Sequence, residues 1–346
     1  MSENLRVALV GCGRISKNHF DAISRLKGLD LVAVADIVAE RAQAAGAAYG
    51  VPSFSSLGSM LAQVDCDIVT VATPSGLHPA HGIEAARAGK HVVSEKPMAI
   101  SLDGADSLIA ACAEHGVKLF VVKQNRLNPA IQLVKRAVDK GRFGRIHSAN
   151  CTIRWARPQD YYDQAPWRGT WAMDGGAFMN QASHYVDLIQ WLAGPVESVV
   201  AMTATQERRI EAEDSGAAVL RFENGGIGVL EVTMLTYPKN LEGSLTILGD
   251  RGSVKIGGTA VNRVDTWLFE DYDDDDKLIE TAATTPPSVY GFGHEGYYRN
   301  VVRVLRGDAV PDTDGAEGRK SLEIILAIYE AARTGKAVGL SHGSPR

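Results

Sequence analysis

Two residues of this 346-residue chain stand where proton chemistry is expected. Lys96 follows the apolar run His91–Ser94 in Ser94-Glu95-Lys96-Pro97. A lysine at a buried strand end, its geometry fixed by proline, is unusual for structural reasons alone, since a buried ammonium is costly unless paired or deprotonated. His184 lies in a helical pattern over Ala177–Leu192. Asn180 stands one turn before it and Asp187 three residues after, so the spacing predicts one helix face for all three. A side chain that takes or gives a proton works best with a pKa near the working pH. By spacing alone His184 reads either as a structural helix histidine or as such a base, with Asp187 either orienting its imidazole or serving as a structural carboxylate. Lys96 either stabilises developing alkoxide charge or is itself the base, its pKa lowered by desolvation and a nearby positive charge.

A hydride acceptor is implied by Gly11-Cys12-Gly13-Arg14-Ile15-Ser16. The first glycine permits a tight turn and the second a close backbone approach to pyrophosphate. The following helix N-terminus offers N–H groups and a positive dipole end. Ser16 stands where a third glycine is usual and is still small. Asp36 ends the next strand pattern, where a carboxylate accepts from ribose hydroxyls and repels a 2′-phosphate, so NAD is expected over NADP. The other reading of Asp36 is a cap for the next helix. Thr73 and Pro74, in the loop ending at His78, are further candidates for lining the cofactor.

The elements that must position these residues are legible as a pattern. Leu5–Val10, Leu31–Ala35, Asp67–Val71, His91–Ser94 and Lys118–Val122 read as buried strands. Helical stretches over Ile15–Leu26, Ala39–Tyr49, Leu77–Ala88 and Leu102–His115 separate them. Such alternation implies βαβ units and a parallel sheet. After Lys123 come a helix over Pro129–Lys140, a strand over Ile146–Trp155, and hairpin-like runs between Ser198 and Glu280. Helices near Tyr297–Leu305 and Arg319–Thr334 follow. The fold expected is α/β: a Rossmann domain over 1–123, then an α+β domain with an antiparallel sheet over 124–346. The acidic run Asp271–Lys277 is expected to be a solvated hairpin tip.

A net charge of −5 argues against nucleic-acid binding, which needs a basic face. Cys12, Cys66, Cys112 and Cys151 show no zinc-ligand spacing and read as reduced core thiols. No metal is expected. No signal-peptide pattern and no apolar run of about 20 residues is present, so a cytoplasmic location is expected.

Gly11-x-Gly13, Ala72-Thr73-Pro74-Ser75 with His78, Ala88-Gly89-Lys90-His91-Val92 and Glu95-Lys96-Pro97 together resemble the Gfo/Idh/MocA oxidoreductases. The resemblance implies that the second domain carries an open-faced sheet used in homo-oligomers, dimers or tetramers. It also implies that Lys96 lies beside the nicotinamide and the reacting hydroxyl. Further segments are similar to one branch, the UDP-N-acetylglucosaminuronate dehydrogenases of surface-polysaccharide synthesis. They are Val122–Arg126, Asn128-Pro129, Trp167–Trp171, Gly175–Gln181 and Tyr290–His294. Oxidation at C3 of that sugar nucleotide is therefore expected. The alternatives are a free sugar or cyclitol as substrate, and a non-catalytic NAD-binding regulator. Inositol-dehydrogenase-like members carry Asp at the position of Asn180, which counts against inositol. Implied cofactor contacts are Gly11, Gly13, Arg14, Ile15, Asp36, Thr73, Pro74, His78, Glu95, Lys96 and Gln124. Implied substrate contacts are Lys96, Gln124, Asn125, Arg154, Trp167, Arg168, Asn180, His184, Tyr290 and His294. Arg154, Arg168 and Lys123 are the nearest cations for a diphosphate and a carboxylate.

Overall fold

Short apolar runs rich in Val, Ile, Leu and Ala pair in parallel because each is followed by a helix that returns the chain to the same edge. The computed structural model describes residues 4–284 and 293–340. In chain order the first part comprises β1 (Leu5–Val10), α1 (Ser16–Arg25), β2 (Leu29–Ala35), α2 (Ala39–Tyr49), β3 (Ser53–Phe54) and α3 (Leu57–Leu61). It continues with β4 (Ile68–Val71), α4 (His78–Arg87), β5 (His91–Ser94), α5 (Leu102–Glu114) and β6 (Leu119–Val121). The strand order is β3-β2-β1-β4-β5-β6, and every pair is parallel. The order reverses between β1 and β4. Ligands of open α/β sheets bind at the carboxyl ends beside such a switch point, which is where the Gly11 and Thr73 loops leave the sheet.

The second part comprises α6 (Pro129–Asp139), β7 (Ile146–Arg154), α7 (Gln159–Asp163), α8 (Ser183–Ala193), β8 (Val196–Ala204), β9 (Ser215–Phe222) and β10 (Ile227–Thr233). Then come β11 (Glu242–Gly249), β12 (Gly252–Gly257), β13 (Arg263–Phe269), α9 (Ile279–Ala282), α10 (Gly293–Leu305), α11 (Gly315–Thr334) and β14 (Val338–Gly339). The second sheet runs β13-β12-β11-β7-β10-β9-β8-β14. It is antiparallel except where β10 pairs with β7 in parallel, a departure from the hairpin pattern. One face is buried, through Leu220, Leu230, Cys151, Leu245 and Ile256, and α8 packs against β7 and β11. The other face carries the cross-strand row Val200, Val219, Val229 and Asn150. Met202, at 80% exposure, lies on the same face beside it.

Residues 1–123 with His294–Arg319 form one unit, and 124–293 with Lys320–Arg346 form the other. His294 and the rest of α10 therefore group with the parallel sheet, although they lie far beyond it in sequence.

Two local expectations fail for identifiable reasons. The helix expected from Ala177 begins at Ser183, because distant side chains hold the preceding residues in turns, as described below. The run Asp271–Lys277 is not a solvated tip. It forms a short 3₁₀ turn with Asp273 and Asp276 in a reciprocal capping box. Its carboxylates meet Arg136, Lys140 and Arg142, and Asp276 also accepts from Trp267 Nε1 at 2.6 Å.

Candidate active site

In the first unit, β1 ends in a turn that only glycine can make. Gly11 has φ +97°, and a Cβ there would lie 2.5 Å from the Ala72 carbonyl group. A Cβ on Gly13 would meet nothing within 4 Å, so the backbone is open to a ligand on that side. Ser16 compensates for the missing third glycine by turning its hydroxyl inward, donating to Gly13 O at 2.6 Å. Arg14 is exposed and Ile15 half-buried at the start of α1. The Asp36 carboxylate accepts from Cys12 N and from Val38 N, both at 2.8 Å. It ties the glycine turn to the entry of α2, and each oxygen keeps further acceptor capacity. These residues fit a dinucleotide: turn, open backbone approach, helix N-terminus and ribose acceptor coincide.

Thr73 and Pro74 follow β4, with Thr73 Oγ1 3.0 Å from His81 Nδ1. His78 is buried, and its two ring nitrogens lie 2.7 Å from Pro97 O and Thr73 O. Burial favours the neutral ring, which donates to one of these carbonyls and packs between the Thr73 loop and the Lys96-Pro97 segment. Lys96 is half-buried just beyond β5, and its backbone N–H donates to Glu95 Oε2 at 2.9 Å. Glu95 and His294 are buried together, with His294 Nε2 3.8 Å from Glu95 Oε1. Lys123 is buried at the end of this unit.

In the second unit, His184 is the second residue of α8 and is 7% exposed. Asp187, three residues on, accepts from Arg126 Nε at 2.7 Å and Nη2 at 2.8 Å, a buried bidentate pair. The Arg126 guanidinium also lies 4.8 Å from the Trp191 ring centroid. Asp187 thus has a structural partner that the helix spacing did not indicate. Asn180 is not on the helix of His184; it sits in the preceding turn, where its amide donates to Asp174. Phe178 N donates to Glu213 Oε1 at 2.8 Å. Gly176 N and Met179 N donate to Tyr329 Oη, both at 3.2 Å, and Tyr329 Oη donates to Glu213 Oε1 at 3.0 Å. A Cβ on Gly176 would collide with the Glu213 carboxylate. Glu213 and Tyr329 therefore set the turn from which Asn180 and α8 emerge, and sequence reasoning did not single them out. The only signal was Gly175-Gly176, which marks a close approach without naming the approaching group.

Gln124 and Asn125 are buried, and Gln124 Oε1 and Asn125 Oδ1 have no hydrogen-bond partner among the described residues. Buried acceptors of this kind suit hydroxyl or amide donors of a ligand. Arg168 stacks 4.1 Å from the Tyr161 ring centroid and 5.2 Å from that of the neighbouring Trp167. Arg154 lies on the exposed sheet face, where Glu231 at 2.7 Å and Glu242 at 3.2 Å flank its guanidinium. Tyr290 lies outside the described residues.

The parallel sheet, the glycine turn at its switch point and the Asp36 carboxylate beside that turn are the features of a dinucleotide-binding fold. The description "Oxidoreductase family, NAD-binding Rossmann fold" of the Gfo/Idh/MocA group matches residues 5–123, and the Gfo/Idh/MocA C-terminal domain matches 131–255. Inositol 2-dehydrogenase of Rhizobium meliloti is 32% identical over 260 residues, covering 72% of this chain and 74% of that protein. The chain belongs to the Gfo/Idh/MocA family of NAD-binding oxidoreductases. The WlbA dehydrogenase of Bordetella pertussis, crystallised with NADH and UDP-GlcNAcA, is 56% identical with a TM-score of 0.96, covering 99% of each chain. WlbA of Chromobacterium violaceum, with the same two ligands, is 51% identical with a TM-score of 0.95, covering 99% of this chain and 98% of the other.

Asp36 carries the first prediction. Asp36→Ser is expected to weaken NAD and relax exclusion of NADP by about ten- to a hundredfold, the value of a charge-assisted hydrogen bond. Titration of the wild type and variant with both cofactors checks it; equal wild-type affinity for NADP and NAD would overturn it.

Proposed function

We propose that this chain is an NAD-dependent dehydrogenase that oxidises the C3 hydroxyl of UDP-N-acetylglucosaminuronate to the 3-keto sugar nucleotide. The observation that carries the reading is end-to-end likeness, at 56% and 51% identity, to two dehydrogenases crystallised with NADH and UDP-GlcNAcA.

When bound, NAD supplies the hydride acceptor. The chain's own residues supply the rest. The turn at Gly11 and Gly13 and the Asp36 carboxylate hold the dinucleotide. Lys96 and His184 handle the hydroxyl proton: one removes it, and the other holds the oxygen as negative charge develops. Gln124 and Asn125 offer buried acceptors, and Arg168 offers a stacked guanidinium suited to a carboxylate or phosphate. Arg154, already flanked by two carboxylates, serves the sheet face in this reading.

The exposed row around Val200, Val219, Val229 and Met202 is apolar enough to mark an association surface, and we assign it to self-association into a homo-oligomer. Among the described residues no helix is long and apolar enough to cross a membrane, and the enzyme is proposed to work in the cytoplasm on a soluble sugar nucleotide.

Initial-rate NADH formation with UDP-N-acetylglucosaminuronate, free N-acetylglucosaminuronate and UDP-N-acetylglucosamine tests the reading. Binding energy from the uridine diphosphate and the carboxylate can be used to position the hydroxyl. The uronate conjugate is therefore expected to be the best substrate, with UDP competing. Equal efficiency with the free sugar would favour a simple sugar dehydrogenase instead.

A further inference from the structure

A buried chain of polar groups runs to Lys96 within the first unit. Thr70 of β4, His19 of α1, Glu95 beyond β5, and His294 and Tyr298 of α10 are each 4% exposed or less. Thr70 Oγ1 lies 2.9 Å from Tyr298 Oη, which lies 2.8 Å from His19 Nδ1. His19 Nε2 lies 3.0 Å from Glu95 Oε1. The other oxygen, Oε2, receives the backbone N–H of Lys96 at 2.9 Å. Burial alone would raise the Glu95 carboxyl, but the hydrogen bond from His19 and the nearby His294 imidazole outweigh it and hold the group well below the ordinary range.

An ionised carboxylate only accepts, so His19 Nε2 donates to it. In a neutral ring Nδ1 then accepts from the Tyr298 hydroxyl, and Tyr298, its hydrogen spent, accepts from Thr70. Thr70, Tyr298, His19 and Glu95 are thus linked in one direction, the condition under which a buried polar network rigidifies its surroundings.

We propose that Glu95, held by His19 and through it by Tyr298 and Thr70, is the positioning residue for Lys96: it fixes the lysine's backbone and couples that strand end to α1, the helix that follows the glycine turn. The role rests on the dehydrogenase reading above for its effect on turnover, but not for its effect on Lys96 itself. A glutamine at position 95 can keep every bond. Its Oε1 accepts from Lys96 N–H and its amide donates to His19 Nε2, after which the chain to Thr70 reverses direction. Alanine can keep none of the bonds.

The experiment compares wild type, Glu95→Ala and Glu95→Gln as full-length enzyme in two assays. In steady state with the UDP-uronate, Glu95→Ala is expected to lose about tenfold or more in kcat, the scale of a misplaced reacting group. Its kcat should fall by more than its KM rises, the split expected of a misplaced reacting group rather than of lost uniform binding. Glu95→Gln should recover most of the loss. In the second assay, without substrate, the rate of reductive methylation of Lys96 is read by mass spectrometry. It should change in Glu95→Ala and return towards wild type in Glu95→Gln. If the wild type fails to oxidise the sugar nucleotide, the functional reading falls while the methylation assay still decides the positioning role. Unchanged kcat and unchanged Lys96 reactivity in Glu95→Ala overturn the proposal, as does equal impairment of both variants. The ligating atoms of His19, Glu95 and His294 lie within 4.8 Å of one another. Stoichiometric zinc in the purified enzyme, absent from Glu95→Ala, would therefore also overturn it, because a metal rather than the hydrogen bonds would organise the cluster.

Discussion

Lys96→Met and His184→Asn are each expected to lower turnover by at least about a hundredfold, the usual scale of acid–base and electrostatic contributions, while leaving NAD affinity nearly intact. The expectation follows from where the side chains start. Lys96 stands at the strand end beyond β5, its backbone held by Glu95. His184 is near the start of α8, almost every residue of which is buried. Neither belongs to the glycine turn or is Asp36, so losing either should spare most of the dinucleotide affinity. Met and Asn are close in volume to the groups they replace, which limits repacking losses. Single-turnover NADH formation with saturating substrate, alongside NAD titration, separates the effects. A near-normal single-turnover rate in either variant would remove that residue from the chemistry.

Glu213→Gln is expected to flatten the dependence of stability on pH between about 4.5 and 7. Glu213 is 3% exposed. Burial pushes its carboxyl up to about 7, against the opposing hydrogen bonds from Phe178 N and Tyr329 Oη. Both bonds go to Oε1, while Oε2 has no partner among the described residues, an arrangement that suits a protonated carboxyl better than a buried charge. Below the unfolded pKa, near 4.5, the group is protonated in both states and folding is favoured in full. As pH rises towards 7, the unfolded chain releases the proton that the native chain still holds, so stability falls. The shift from 4.5 to about 7 corresponds to about 3 kcal/mol in all. Glutamine is neutral throughout and still offers an oxygen to Phe178 and Tyr329. Denaturant unfolding at several pH values should show wild type losing stability relative to the variant as pH rises. Parallel curves would contradict the assignment. Because Glu213 sets the turn at Gly176–Met179, any such loss should appear first as loosening of the segment that carries Asn180.

The glycine turn after β1 and the carboxylate tied to it were legible because their signals are local. Gly11, Gly13 and Asp36 fall within one strand–turn–helix–strand unit, and each answers a requirement that backbone geometry imposes within a few residues. The Glu95-Lys96-Pro97 segment was legible for the same reason. The second unit was less so. Ala177 to Ala182 carries good helix formers, but Glu213 and Tyr329, 35 and 153 residues away from the groups they hold, fix it as turns. No periodicity contains that information. The parallel pairing of β10 with β7 is likewise a long-range choice that hairpin-like turn residues do not announce. The run at Asp271 looked like a solvated tip because its partners, Arg136, Lys140 and Arg142, lie more than 120 residues earlier. His294 reads from sequence as part of the second domain, yet it joins Glu95 through the return of α10. Asp187 shows the same limit: helix spacing linked it to His184, and only the fold supplies its partner Arg126.

The most direct test of the central claim follows the hydride itself. UDP-N-acetylglucosaminuronate carrying deuterium at C3 is incubated with enzyme and NAD, and the reduced cofactor is isolated for mass spectrometry. The account predicts deuterium in the nicotinamide ring of the NADH formed, in one-to-one yield with a 3-keto sugar nucleotide. NADH formed without deuterium, with the label retained on the sugar, would contradict oxidation at C3.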